Sequence, residues 1–114
     1  MTKDVLQIST SRGAAGQTIF SLEGPLDIHA VFKFQEAVRA DPSPVLIIDC
    51  GGVPFIDSAG LGAMVGIVVS GRKTNRKIAF AAMTRQAKAL IDMTGVKQFL
   101  HPYETLQEAE AAVS

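Results

Sequence analysis

Tryptophan is absent, tyrosine and cysteine occur once each, and acidic and basic side chains cancel at eleven apiece among 114 residues. A lone cysteine, Cys50, excludes an internal disulfide, and its place behind a run of apolar residues marks it as a small buried hydrophobe rather than a nucleophile. A reducing compartment fits such usage. Zero formal charge removes the attraction that gathers proteins on nucleic acid or anionic lipid, so no direct nucleic-acid partner is expected. No apolar stretch approaches the roughly 20 residues of a transmembrane helix, and Met1-Thr2-Lys3-Asp4-Val5 has no apolar segment behind its lysine. The sequence therefore reads as cytoplasmic, without a secretory signal or membrane insertion. It also lacks a Pro-rich or polar run long enough for a linker, so residues 1–114 are expected to form one domain. Its 47% hydrophobic residues are enough for a single core.

Catalytic groupings are missing as well. His29 and His101 are far apart and neither has a Cys, His or carboxylate at ligand spacing, so no metal site is expected. Asp49 and Asp57 read as a strand end and a helix start rather than an acid/base pair, and no nucleophile, base and orienting group come together. Gly60-Leu61-Gly62 with Gly66 is not a dinucleotide fingerprint, because the third glycine falls one residue late. Arg72, Lys73, Arg76 and Lys77 form a basic cluster with no aromatic neighbours on which bases would stack, so it is expected to be a solvated turn. The chain is thus expected to be a binding protein, not an enzyme, with no cofactor.

What is present is a regular alternation of strand and helix signals. Residues 5–8 and 18–23 are short β-rich runs separated by a small, polar turn. Asp27 is a candidate N-cap for a helix carrying Val31, Phe34 and Val38, and Asp41-Pro42-Ser43-Pro44 stops it. Residues 45–48 are a continuous apolar run, the mark of a central strand covered on both faces. A second helix follows Asp57-Ser58, with Leu61, Met64, Val65 and Val68 at helical spacing. Residues 77–82 form another strand, Thr84 opens a third helix that Gly95 closes, and residues 96–101 read as a last short strand. Thr105 with Glu108 makes a capping box for a final helix. Such an order predicts an α/β fold, a mixed four- to five-stranded sheet, parallel in its centre, packed against about four helices.

From Ser58 to Gly71 no side chain is charged, although a helix with an outward face is expected there. The side opposite the apolar stripe carries Gly62, Ala63, Gly66 and Ser70, with Ile67 and Val69 on its flanks and Ala59 and Gly60 at its start. A low, uncharged surface suits close approach by another protein, or else burial by the protein's own elements. Ser58 is either an N-cap or an exposed hydroxyl at the rim of that patch, where a phosphate would add about −1.5 to −2 charges.

Gly24-Pro25-Leu26-Asp27, then 45–49, then Phe55-Ile56-Asp57-Ser58-Ala59-Gly60-Leu61-Gly62 resemble the signposts of the STAS domain family, and within it those of the anti-sigma factor antagonists. Residues 87–96 resemble the carboxyl-terminal half of the same family, so the likeness spans nearly the whole chain. The resemblance implies that Ser58 is phosphorylated by an anti-sigma factor with serine kinase activity. It further implies that the unphosphorylated form binds that factor and frees the sigma factor, and that a serine phosphatase reverses the modification. Asp27 and Asp57 match positions beside the acceptor. Pro25 stands where the family often has an acidic residue, and Ala59 replaces a common hydroxyl residue, leaving Ser58 as the one acceptor in the motif. The competing role within the family is an accessory subunit of a membrane lipid or anion transporter.

Overall fold

In a computed structural model of the chain, residues 4–113 are described; Met1, Thr2, Lys3 and Ser114, which the amino-terminal and single-domain readings include, lie outside the described residues. The apolar run at 45–48 becomes the middle of strand β3 (Val45–Gly52), where Leu46, Ile47, Ile48 and Cys50 are all 0% exposed. Only a strand covered on both faces buries consecutive residues in this way, because neighbouring side chains point to opposite sides. β3 pairs in parallel with β2 (Thr18–Glu23) on one side and with β4 (Lys77–Ala81) on the other. β1 (Gln7–Arg12) is antiparallel to β2, and the sheet order is β1-β2-β3-β4. The expected strand at 5–8 is shifted towards the turn. Its partner β2 is six residues long, and pairing from Gln7 with Glu23 to Arg12 with Thr18 carries β1 onward to a tight loop closed by Gly16 N–H on the Gly13 carbonyl.

Four helices lie against one face of this sheet: α1 (Val31–Ala40), α2 (Ser58–Lys73), α3 (Arg85–Thr94) and the single turn α4 (Lys97–Leu100). They enclose the larger core, built on Phe20, Leu46, Ile48 and Phe80 with Phe34, Met64, Ile91 and Leu100. α5 (Leu106–Ala112) covers the opposite face, setting Ala109, together with the adjacent Val113, on Ile19, Ile47 and Ala79. Thr105 caps it as expected, its Oγ1 accepting from Glu108 N–H at 3.1 Å.

Residues 96–101 are not a strand. Val96 and Leu100 stand four apart and both turn inward, a helical spacing that five residues of strand would place on one face only with Gln98 between them; Gln98 is exposed instead. The edge of β4 is closed a little later, where Tyr103 N–H donates to the Phe80 carbonyl at 2.9 Å and Ala82 N–H to the Tyr103 carbonyl at 3.0 Å. α3 ends as the sequence predicts, with Gly95 at φ 72°, a left-handed conformation that glycine takes without strain.

Two expected caps act differently. Asp27 lies four residues ahead of α1, and its Oδ1 accepts from His29 N–H at 3.0 Å while its carbonyl accepts from Ala30 N–H, so it caps its own turn. Thr84 does precede α3, but its hydroxyl donates to the Val53 carbonyl at 2.9 Å and caps nothing.

Candidate functional site

The segment from Val53 to Asp57 crosses the carboxyl edge of the sheet and is held from three directions. Leu26 N–H donates to the Phe55 carbonyl at 3.0 Å, and Asp57 N–H donates to the Leu26 carbonyl at 3.3 Å. From α3, the Gln86 side chain makes both strand-like bonds to Ile56, accepting from its N–H at 2.8 Å and donating to its carbonyl at 2.9 Å. Thr84 adds the bond to Val53. The absence of a side chain at Gly60 lets α2 press against Leu26, since a Cβ there would collide with the Leu26 carbonyl oxygen. Loops that carry function are positioned by a rigid scaffold, and these bonds make the start of α2 part of that scaffold.

Asp57 is the N-cap of α2. Its Oδ1 accepts from Gly60 N–H at 2.7 Å and its Oδ2 accepts from Ile28 N–H at 3.0 Å, so one carboxylate pins both the helix and the β2–α1 loop. Ser58 is therefore not the cap. It is the first residue of the helix, exposed, and its hydroxyl has no hydrogen-bond partner among the described residues. The N–H groups of Ser58 and Ala59 likewise have no acceptor among the described residues, whereas that of Leu61 reaches the Asp57 carbonyl at 2.9 Å. Exposed N–H groups at a helix start form a ready anion cradle. Asp27 belongs to the same β2–α1 loop that Asp57 tethers.

Along α2 the two halves of the expected surface part company. Gly62, Gly66 and Ser70 are exposed or half-buried, and Ala59 is half-buried. Gly60, Ala63 and Ile67 are buried by this chain itself, with Ala63 at 3% and Ile67 at 6% exposure. The buried stripe holds Leu61, Met64 and Val68 as expected and extends to Ala63, Ile67 and Gly71, the last facing Ile78 and Arg76, while Val65 is only half-buried. Side chains of Ala63 and Ile67 thus belong to the core and not to the outward face of α2.

Other singled-out residues lie elsewhere. Asp49 is within β3 rather than at its end, and accepts from Gly51 N–H at 3.0 Å. Burial, and secondarily the charge of Asp49, push the Cys50 thiol up to about 12, the condition of a packed and unreactive cysteine. His29 and His101 are both exposed, and among the described residues no group of three or more His, Cys, Asp or Glu could hold a metal ion. The basic cluster divides: Arg72, Lys73 and Lys77 are exposed, but Arg76 is a structural clamp. Its guanidinium donates to the carbonyls of Val38 at 2.7 Å and Ser43 at 2.8 Å and pairs with Asp41 at 3.3 Å. Sequence reasoning also missed Gln86, whose amide carries no periodic signal, the exposed Ile28 and Phe55 near the start of α2, and the exposed Phe32 on α1. Phe32 stands outside the Val31, Phe34 and Val38 stripe, which was a usable sign that it faces water.

The chain is similar in sequence and fold to known proteins. Over 84 residues, 71% of this chain and 78% of the relative, it is 25% identical to an anti-sigma-B factor antagonist of Staphylococcus epidermidis. The crystal structure of an anti-sigma factor antagonist from Mycobacterium paratuberculosis superposes with a TM-score of 0.82 at 22% identity, covering 99% of this chain and 98% of that one. A murine anion transporter, Solute Carrier 26 family member A9, contains the same fold at a TM-score of 0.76 and 17% identity, over 98% of this chain and 22% of the transporter. No helix among the described residues is long and apolar enough to cross a membrane. The family model described as the STAS domain matches residues 6–109, from the start of the sheet into the closing helix, and the chain belongs to the STAS domain family.

Proposed function

We propose that this protein is an anti-sigma factor antagonist in a partner-switching circuit. Unphosphorylated, it binds an anti-sigma factor with serine kinase activity and frees the sigma factor; phosphorylation of Ser58 releases it, and a serine phosphatase restores it. ATP belongs to the kinase, and this chain works in the cytoplasm as a binding protein without a cofactor. The observation that carries the proposal is the free, exposed hydroxyl of Ser58 at the lip of a helix with no charged side chain before Arg72. The name of the staphylococcal relative supports the same reading.

Two features of α2 support docking beside Ser58. Glycine inside a helix costs about 0.5–1 kcal/mol relative to alanine. At Gly60 and Gly71 the protein's own neighbours account for that cost, because a Cβ at Gly71 would meet Ile78 Cδ1 at 3.1 Å and the Arg76 carbonyl at 3.2 Å. At Gly62 and Gly66 a Cβ would meet nothing within 4 Å, so close approach by another molecule is the physical reason for two glycines one turn apart. Together with Ala59 and Ser70 they form the partner-facing strip.

A phosphate on Ser58 has two opposed effects. The open N–H groups of Ser58 and Ala59 stabilise it in the free protein, while Asp57 repels it. Docking would then bury a dianion beside a carboxylate, at a cost of several kcal/mol. Emptying a nearly saturated complex takes about 5.5 kcal/mol, so one phosphate is of the right size.

Incubation with the kinase and ATP should add one phosphate, and Ser58→Ala should abolish the mass shift. Ser58→Asp, with half the charge, should weaken the complex about tenfold or more. Stoichiometric phosphate on another residue of the Ser58→Ala protein would remove the site assignment. The alternative role, an accessory subunit of a membrane transporter, predicts recovery of a transporter polypeptide and equal binding by the modified and unmodified forms.

A further inference from the structure

Beyond the turn that Val53 N–H closes on the Cys50 carbonyl, the chain resumes sheet-like pairing at one residue, Ile56. On one side Ile56 pairs in parallel with Leu26, whose N–H and carbonyl reach Phe55 and Asp57 and leave the N–H and carbonyl of Ile56 pointing the other way. Strand β4 would be the neighbour there, but it ends at Ala81 and the chain leaves the sheet at Ala82, φ 59°. The Gln86 side chain, from the first turn of α3, takes the empty place. Its Oε1 accepts from Ile56 N–H at 2.8 Å and its Nε2 donates to the Ile56 carbonyl at 2.9 Å. A primary amide carries a donor and an acceptor on one plane, so it can stand in for the peptide group of a strand. Asparagine is a carbon shorter, an ionised glutamate only accepts, and lysine and arginine only donate. Ile56 is 1% exposed, so water does not replace these bonds when they are lost.

We infer that Gln86 is a positioning residue for phosphoryl transfer to Ser58, a role that rests on the partner switch proposed above and adds α3 to the elements that present the acceptor. Ser58 follows Ile56 by two residues. Between them Asp57 is held by its N–H on Leu26 and by its carboxylate on Gly60 and Ile28, and Gln86 supplies the hold from the remaining side. In the transfer, Ser58 Oγ forms a bond to the γ-phosphorus of the kinase's ATP while the bond from that phosphorus to the bridging oxygen breaks; ADP leaves and the hydroxyl proton passes to a base of the kinase. Such in-line attack depends on where the oxygen stands, and a displacement of about 1 Å costs up to about 100-fold in rate. Gly62 and Gly66 lie about one and two turns further along α2, so loosening Ile56 misplaces the hydroxyl and leaves the outward glycines where they are.

The test is steady-state phosphorylation of the full chain by the anti-sigma factor kinase that the wild-type chain recovers from its native lysate, with calorimetric titration in the absence of ATP, both below the melting temperature of every variant. Gln86→Met, equal in length but without either bond, should lower kcat about tenfold while KM and affinity stay within about twofold of wild type. Gln86→Glu, which keeps the acceptor and loses the donor, should also lower kcat, and it serves where Gln86→Met does not fold. Thr105→Ala removes the cap of α5 on the opposite face of the sheet, so it lowers stability without touching Ile56 and should leave kcat unchanged. In amide exchange, Ile56 and Asp57 should exchange about tenfold faster in Gln86→Met while the N–H groups of β3 keep their protection. Unchanged kcat in the folded Gln86 variants, or an equal fall in Thr105→Ala, would overturn the role of Gln86 and leave the partner switch standing. A wild-type chain on which the kinase places no phosphate at Ser58 would overturn both.

Discussion

Both oxygens of the Asp57 carboxylate are committed to backbone N–H groups, one on the helix it caps and one on the loop it tethers, so the residue next to Ser58 is first of all structural. Loss of an N-cap costs about 1–2 kcal/mol, and a charge-assisted bond to a second N–H about as much again. Asp57→Ala is therefore expected to destabilise the fold by about 2–4 kcal/mol in urea titration, and Asp57→Asn, which keeps one acceptor oxygen, by about half of that. If Asp57→Ala melted like wild type, the anchoring of Ser58 by this carboxylate would be wrong. The division of labour is simple: Asp57 positions the helix start, and the hydroxyl of Ser58, left without a bond, is the proposed acceptor.

For α2 as an element, the glycines give opposite expectations at neighbouring positions. Gly62→Ala and Gly66→Ala should each raise stability by about 0.5–1 kcal/mol, because the helix gains propensity and the added Cβ meets open space. Gly60→Ala should be strongly destabilising, because the Leu26 carbonyl occupies the place of the Cβ. The stabilised Gly66→Ala protein, and the folded Gly66→Glu protein more severely, should bind the anti-sigma factor less tightly than wild type. Thermal melts paired with affinity measurements check this; unchanged affinity in folded Gly66→Glu would place the docking face elsewhere. The periodic apolar residues of α2 were legible in the sequence. Its outward face was legible only in part, because Ala63 and Ile67 are buried by the chain's own packing, which no local pattern reveals.

At the scale of the whole molecule, Cys50 is a reporter. It lies in the central strand and the main core, so a thiol reagent reaches it only when the sheet opens. Labelling should be negligible in native buffer and should follow the same urea midpoint as circular dichroism, as a cooperative single domain requires. Burial holds the folded thiol near 12 against an ordinary 9.0, so the folded state keeps a proton that the unfolded chain releases. This contribution to stability is complete below about pH 9 and declines as pH rises from there towards the folded value. The urea midpoint should fall between about pH 8 and about pH 10, and Cys50→Ala should remove that part of the fall. Labelling well below the unfolding midpoint would show that the sheet opens locally.

The order of strands and helices, the parallel centre of the sheet and the start of a helix at Asp57-Ser58 could be read from the chain alone, because periodicity, turn chemistry and caps are properties of neighbours along it. Tertiary structure decided the rest. It made 96–101 a helical turn instead of a strand, turned Arg76 from a solvated cation into a clamp on α1, and gave the cap to Asp57 so that Ser58 stood free. It also set the exposed Ile28 beside the start of α2, its N–H held by Asp57. Burial and side-chain pairing depend on which distant segments meet, and that is settled when α1, α2 and α3 close over one face of the sheet.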